Sequence, residues 1–248
     1  MEDKKFALLI DADNTSSKYI KTIVDEITNL GITTFRRIYG DWTSPTLQNW
    51  KAILLEHSIT PMQQYSYTTG KNSTDSAMII DAMDILYTAD VDGFCLVSSD
   101  SDFTKLAMRL REAGKTVIGM GKEQTPRPFV AACNQFKYLD LISKEGQGKA
   151  AAVKKTSKKS GTATKKKSAE QKLVDSICKI IEENSNDDGW MYAARVGKLL
   201  QKKYPDFDCR NYGYKKFGLL LEGLGFDMRK EPGMDDPNAC EVYVKIKE

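Results

Sequence analysis

The sequence predicts an α/β domain built on a mostly parallel sheet flanked by helices, followed by a smaller winged helix-turn-helix domain. Three observations lead there. Two apolar runs of strand length, Ala7-Leu8-Leu9-Ile10 and Phe94-Cys95-Leu96-Val97, each end in aspartates. Strand and helix patterns alternate through the first 120 residues or so. A lysine-rich stretch then separates this alternation from a run of helical patterns that closes in two strand-like segments.

The elements follow in order. Phe6–Ile10 is a strand buried on both faces, because it is continuously apolar. Ser16 to Leu30 reads as a helix, with Ile20, Ile23, Val24 and Ile27 on one face and Gly31 as its stop. Thr33–Tyr39 is a second strand. A helix over Pro45–Glu56 and a strand at Met62–Tyr67 come next. Thr74-Asp75 opens a helix carrying Ala77, Met78, Ile80, Ala82, Ile85 and Leu86. Phe94–Ser98 is a strand, Asp102–Ala113 a helix closed by Gly114, and Thr116–Met120 a strand. Residues 1–143 form this domain.

Residues 144–172 hold ten lysines against Glu145 and Glu170, a local charge of +8 in a chain of net +3. The basic character therefore belongs to one segment. Residues 144–168 have almost no large apolar side chain, so burial cannot offset the entropy of ordering them; they read as a flexible linker. The second domain, 169–248, shows helical patterns over 170–183, 191–203 and 211–223. Strand-like stretches follow at Phe226–Arg229 and Cys240–Ile246.

Composition narrows the chemistry. No apolar run is long enough to span a bilayer, and no membrane partner is expected. The five cysteines are scattered without CxxC spacing, which suggests neither a disulfide framework nor a zinc site and points to a reducing, cytoplasmic setting. His57 is the one histidine and sits at the end of a helical pattern, which argues against Ser-His-Asp chemistry. What remains is carboxylates.

In open α/β sheets, ligands bind at the carboxyl ends of strands. Asp11 ends the first strand, Asp100 and Asp102 follow the later one, and Asp75 lies at a helix N-terminus. Converging there, they would form a cluster that like-charge repulsion makes costly without a cation. Mg2+ or Mn2+ suits such an oxygen-rich site and phosphate chemistry. Each aspartate also has a structural reading: Asp75 as a helix-dipole partner, Asp100 and Asp102 as caps. Asp13 either joins the site or caps the helix near Ser16. Asp81 and Asp84 lie further along their helix and read as supporting or solvated groups.

Three blocks resemble the signature of NYN domains, which are PIN-like ribonuclease domains, here of the LabA-like type. They are Leu8 to Asn14, Lys71-Asn72-Ser73-Thr74-Asp75 with Ala77 to Asp81 behind it, and Val97 to Phe103. The resemblance covers about residues 5–140. It implies a PIN-like, Rossmannoid sheet and metal-dependent cleavage of RNA. Asp11, Asp75, Asp100 and Asp102 are then the metal-binding and catalytic carboxylates. Asn14 and Ser99 match polar positions nearby, and Lys71 offers a point charge to a phosphate. Ile10 to Thr15 also fits the D-x-D-x-T nucleophile motif of haloacid-dehalogenase phosphatases, with Lys115 as its lysine. The Asp100–Asp102 pair is closer spaced than that chemistry expects.

Pro205-Asp206-Phe207-Asp208-Cys209-Arg210-Asn211-Tyr212-Gly213-Tyr214-Lys215-Lys216-Phe217, with Gly189-Trp190, Val196-Gly197 and Val242-Tyr243-Val244, is similar to the OST-HTH or LOTUS domain. That resemblance implies a winged helix that binds RNA, single-stranded or structured. Arg210, Tyr212, Lys215 and Lys216 are the candidate RNA contacts, basic and aromatic groups near a helix start. Tyr212, Tyr214 and Phe217 equally suit a small core. The lysine linker adds salt-sensitive, sequence-blind affinity for phosphates. The alternative to a nuclease is a non-catalytic module that binds RNA or protein.

Overall fold

The computed structural model describes residues 3–65, 73–146, 162–232 and 240–247. Two compact units divide the chain, Met1–Gly146 and Gln147–Glu248. Residues 147–161, the middle of the expected linker, lie outside the described set.

The first unit runs β1 (Lys5–Asp11), α1 (Ile20–Thr28), β2 (Ile32–Gly40), α2 (Gln48–Lys51), β3 (Thr60–Gln63) and α3 (Ser73–Thr88). It continues with β4 (Gly93–Val97), α4 (Thr104–Glu112), β5 (Thr116–Gly121), α5 (Arg127–Ala132), β6 (Gln135–Tyr138) and α6 (Leu139–Gly146). The strands form one parallel sheet in the order β3-β2-β1-β4-β5-β6. Successive crossovers run one way from β1 to β3 and the other way from β4 to β6. The order therefore reverses between β1 and β4, a crevice where doubly wound sheets bind ligands.

Alternation along the central strands divides the core into two layers. Ala7 and Leu9 of β1, with Phe94 and Leu96 of β4, pack beneath Met78 and Ala82 of α3, Leu106 of α4 and Phe129 of α5. Phe6, Leu8 and Ile10, with Cys95 and Val97, face Ile23 and Ile27 of α1, Trp50 and Leu139. Both strands are buried on both faces, which is why they read as unbroken apolar runs. Gly93 lies where β4 crosses Phe6: a Cβ there would sit 2.4 Å from the Thr116 carbonyl oxygen.

Several expected elements shift. The helix over Pro45–Glu56 is a 3-10 turn, Pro45–Leu47, and the four residues of α2. The strand expected at Met62–Tyr67 begins earlier, as β3, and residues 66 and 67 lie outside the described set. The sheet also gains β6, with α5 and α6 around it, beyond the last strand that the apolar runs predicted.

The second unit has α7 (Thr162–Asn184), β7 (Met191–Tyr192), α8 (Ala193–Lys203), α9 (Phe217–Gly223), β8 (Asp227–Pro232) and β9 (Cys240–Lys245). Three antiparallel strands in the order β7-β9-β8 make the wing. Leu173 and Ile177 of α7, Val196 and Leu200 of α8, Leu220 and Leu221 of α9, and Val244 of β9 form its core. Helix α7 starts eight residues before the expected 170, because Lys165 to Lys167 favour helix and neither Gly nor Pro interrupts 162–184. The helix expected at 211–223 is two pieces. A 3-10 turn, Cys209–Tyr212, ends at Gly213 with φ 85°, and α9 starts at Phe217. The left-handed backbone at Gly213 breaks the helix. Met191 and Tyr192, expected to be helical, are the short strand β7.

Candidate active site

Strand parity builds the site. Asp11 shares the odd positions of β1 with Ala7 and Leu9, so it faces the layer beneath α3. The β1–β4 register pairs Ile10 with Val97. One step on, Asp11 stands opposite Ser98, which shares the parity of Phe94 and Leu96. The Ser98 hydroxyl donates to Asp11 Oδ2 at 2.7 Å. The Asn14 side-chain amide donates to the same oxygen at 2.8 Å. Oδ1 accepts from the backbone N–H groups of Asp13 and Asn14 at 3.0 and 3.2 Å. Asp11 is thus wholly buried with four donors on its carboxylate. Burial pushes its pKa up, while Ser98 and Asn14 oppose that shift.

Asp75, in the first turn of α3, and Asp100 and Asp102, after β4, each offer an oxygen, and these oxygens lie within 4.8 Å of one another. Asp75 is 8% exposed. Its pKa is raised to about 6, first by burial and then by the charges of Asp11, Asp100, Asp102 and Asp13. The cap reading of Asp100 also holds: its Oδ1 accepts from the Asp102 N–H at 3.0 Å, starting the 3-10 turn Ser101–Phe103. A carboxylate has lone pairs for both roles. The structure therefore brings together Asp75, Asp100 and Asp102, with Asp11 and Asn14 behind them.

The other expected residues are placed as follows. Asp13 is exposed beside the β1–α1 turn. Ser99 has the opposite parity to Ser98 and turns to β5, where its hydroxyl accepts from the Lys122 N–H at 2.9 Å. Lys71 lies outside the described residues. Lys115 is at the far end of the sheet, where Nζ donates to the Val91 carbonyl at 2.7 Å, so it is remote from Asp11. Asp81 holds Arg37 and the Tyr39 hydroxyl, tying α3 to β2. His57 accepts from Arg36 through its backbone carbonyl at 3.1 Å. Ser98 and Lys122 were not singled out from the sequence. Register, which pairs Asp11 with Ser98, is the signal for the first.

In the second unit, the Arg210 guanidinium is paired with Asp208, Nε to Oδ1 at 3.0 Å and Nη2 to Oδ2 at 2.7 Å. Tyr212, Tyr214 and Phe217 pack against the core. Lys215 and Lys216 are exposed.

Residues 5–140 match the family model of the NYN domain, and residues 164–236 match that of the OST-HTH/LOTUS domain. No curated protein matches the chain. Among solved structures, it is similar to a protein of unknown function from Vibrio parahaemolyticus, with 21% identity and a TM-score of 0.47 over 55% of this chain and 93% of that one. It is also similar to the WlbA dehydrogenase from Bordetella pertussis in complex with NADH and UDP-GlcNAcA, at 15% identity and a TM-score of 0.30, over 54% and 34% of the two chains. An apo scyllo-inositol dehydrogenase from Lactobacillus casei follows at 12% and 0.31, over 71% and 43%. No helix among the described residues is long and apolar enough to cross a membrane.

Proposed function

The chain belongs to the NYN domain family and carries an OST-HTH/LOTUS domain, and from this premise we propose that it is a divalent-metal-dependent ribonuclease whose second domain recruits RNA. The observation that carries the reading is the approach of the Asp75, Asp100 and Asp102 oxygens to within 4.8 Å at the crevice where the sheet order reverses. Three hard oxygen donors fit Mg2+ or Mn2+, which take oxygen ligands and keep several waters. The raised pKa of Asp75 is consistent with this: burial raises it first, and the neighbouring charges of Asp11, Asp100 and Asp102 raise it further.

Asp75, Asp100 and Asp102 would hold the ion, and Asp11 adds its charge from behind them. When bound, such an ion neutralises charge on a phosphate and makes a neighbouring water more acidic. Asp11 fixes the β1–α1 turn by accepting from Asp13 and Asn14, and Ser98 fixes Asp11. Asp100 orders the turn that presents Asp102. Together these contacts keep the carboxylates in place before substrate arrives, so that little reorganisation is needed during reaction. In the second domain, exposed Lys215 and Lys216 supply phosphate contacts. Arg210, paired with Asp208, and Tyr212, packed on the core, shape the loop that carries them and complete the four candidate RNA contacts.

The test is cleavage of labelled single-stranded RNA with magnesium or manganese, by the native chain and by Asp100→Asn. Loss of about a hundredfold in the variant is expected. Equal cleavage by both proteins, or none by the native chain with RNA still bound, would overturn the catalytic reading.

A further inference from the structure

Beside the carboxylates, a pocket of about 380 Å3 opens between the β1–α1 turn, the Pro45–Leu47 turn and the residue that follows β5. Ala12, Leu47 and Trp50 close its base, each nearly buried. The Trp50 indole N–H donates to the Thr15 carbonyl at 3.2 Å, which fixes the ring. Ser17, Asn49 and Lys122 stand around it. Its volume falls within the ~300–1,000 Å3 of small-ligand sites. Around the small apolar base its lining is mostly polar, and it includes Asp13.

Two polar groups here face the opening without a protein partner among the described residues, Asn49 exposed and Lys122 half-buried. Among the described residues, no hydrogen bond or ion pair engages the Asn49 amide or the Lys122 ammonium. The Lys122 backbone, by contrast, is anchored. Its N–H donates to Ser99 Oγ at 2.9 Å, and its carbonyl accepts from the Thr125 N–H and hydroxyl at 3.0 and 2.7 Å. A fixed backbone thus carries an unpaired cation beside a group of carboxylates. Asn14 joins the two places: it donates to Asp11 and also lines the pocket.

We propose that this pocket seats one nucleotide of the RNA strand next to the bond to be cut, its base on Ala12, Leu47 and Trp50, Asn49 on its hydrogen-bonding edge and Lys122 on its phosphate. The proposal rests on the ribonuclease reading for its substrate. Asp13 also lines the pocket, and Lys122 is the one cation among the lining residues, so it is the group there that can meet a phosphate as a point charge. An amide has both donor and acceptor and so meets the polar edge of a base. One nucleotide fits the volume and a base-paired duplex does not, so the strand enters unpaired. A dinucleotide cofactor is disfavoured: the turn after β1 is Asp11-Ala12-Asp13-Asn14-Thr15, with carboxylates where a glycine-rich turn would approach a pyrophosphate.

The test uses the isotopically labelled full chain, titrated with the four ribonucleoside 5′-monophosphates in magnesium and followed by NMR. The same chain is assayed for single-stranded RNA cleavage alongside Asn49→Ala, Lys122→Met and Lys122→Arg. Amide shifts at Ala12, Asn49 and Lys122, with KM raised about tenfold in Lys122→Met and largely restored in Lys122→Arg, are expected. If the native chain cleaves RNA, while monophosphates move none of these signals and the variants keep native KM, the pocket proposal fails and the nuclease stands. If monophosphates bind in the pocket and the native chain cleaves nothing, the pocket stands and the nuclease reading fails.

Discussion

The Ser98 hydroxyl donates to Asp11 Oδ2 at 2.7 Å, joining the ends of β4 and β1 where the order of the sheet reverses. Ser98 also accepts from the Asp100 N–H at 3.0 Å through the same hydroxyl, so one side chain orients both a buried carboxylate and the turn that follows it. Ser98→Ala is expected to lower stability by about 1–3 kcal/mol, the cost of removing a donor from a buried charged acceptor. Burial already raises the Asp11 pKa, and losing Ser98 raises it further. The deficit should therefore grow as pH rises and Asp11 ionises. Urea denaturation across the pH range from acid to alkaline measures this, and a deficit that never changes with pH would show that Ser98 is not a partner of the ionised carboxylate.

Asp75 gives a second pH dependence. Its folded pKa of about 6 lies above the ordinary value of 3.8. The folded state holds the proton more tightly, so without metal the contribution of Asp75 to stability falls as pH rises from about 4 through 6. Asp75→Asn removes the charge and should flatten that fall, raising the melting temperature at pH 7 in EDTA. A melting temperature that drops with the substitution would mean the Asp75 charge stabilises the metal-free fold.

Metal addition should do the opposite of proton loss. A cation bound only by the folded state stabilises it, by about 2.7 kcal/mol at a concentration of 100 Kd. Protons compete for the same carboxylate oxygens. Magnesium or manganese is expected to raise the melting temperature more at pH 7 than at pH 5, and Asp102→Asn should diminish the effect. Calorimetric scans across pH report it directly, and a shift indifferent to both pH and Asp102 would place the ion elsewhere.

For the second domain, Lys215→Ala with Lys216→Ala should weaken RNA binding without lowering the melting temperature, since both residues are exposed. Each lost phosphate contact to a single strand flattens the slope of log K against log salt by about 0.7. Asp208→Asn should instead destabilise the 209–212 turn, because Arg210 would lose its bidentate partner. Filter binding over a salt series separates the two effects. An unchanged salt slope in the lysine variant would remove this edge from the RNA interface.

Parts of this arrangement were legible from the sequence for a physical reason. Strands β1 and β4 are buried on both faces, so their apolar runs are unbroken and the aspartates that end them stand out. Strand β6 alternates half-buried and buried residues over four positions at the sheet edge, and that pattern is too short to rise above its surroundings. The break at Gly213 depends on a left-handed backbone, which composition does not announce in a chain with 17 glycines. The choice between Ser98 and Ser99 turns on parity: one step along the chain exchanges the face toward α3 for the opposite face of the sheet. Lys122 follows a strand that ends without a carboxylate, so nothing near it in sequence suggested a site.

Pro61 pairs with Ile38 in β3, the outermost strand on its side of the sheet. A proline has no N–H to donate, and β3 is four residues long. A strand offered by another molecule would meet a short ladder with a missing rung. The fold thus guards that border of the parallel sheet against templated aggregation.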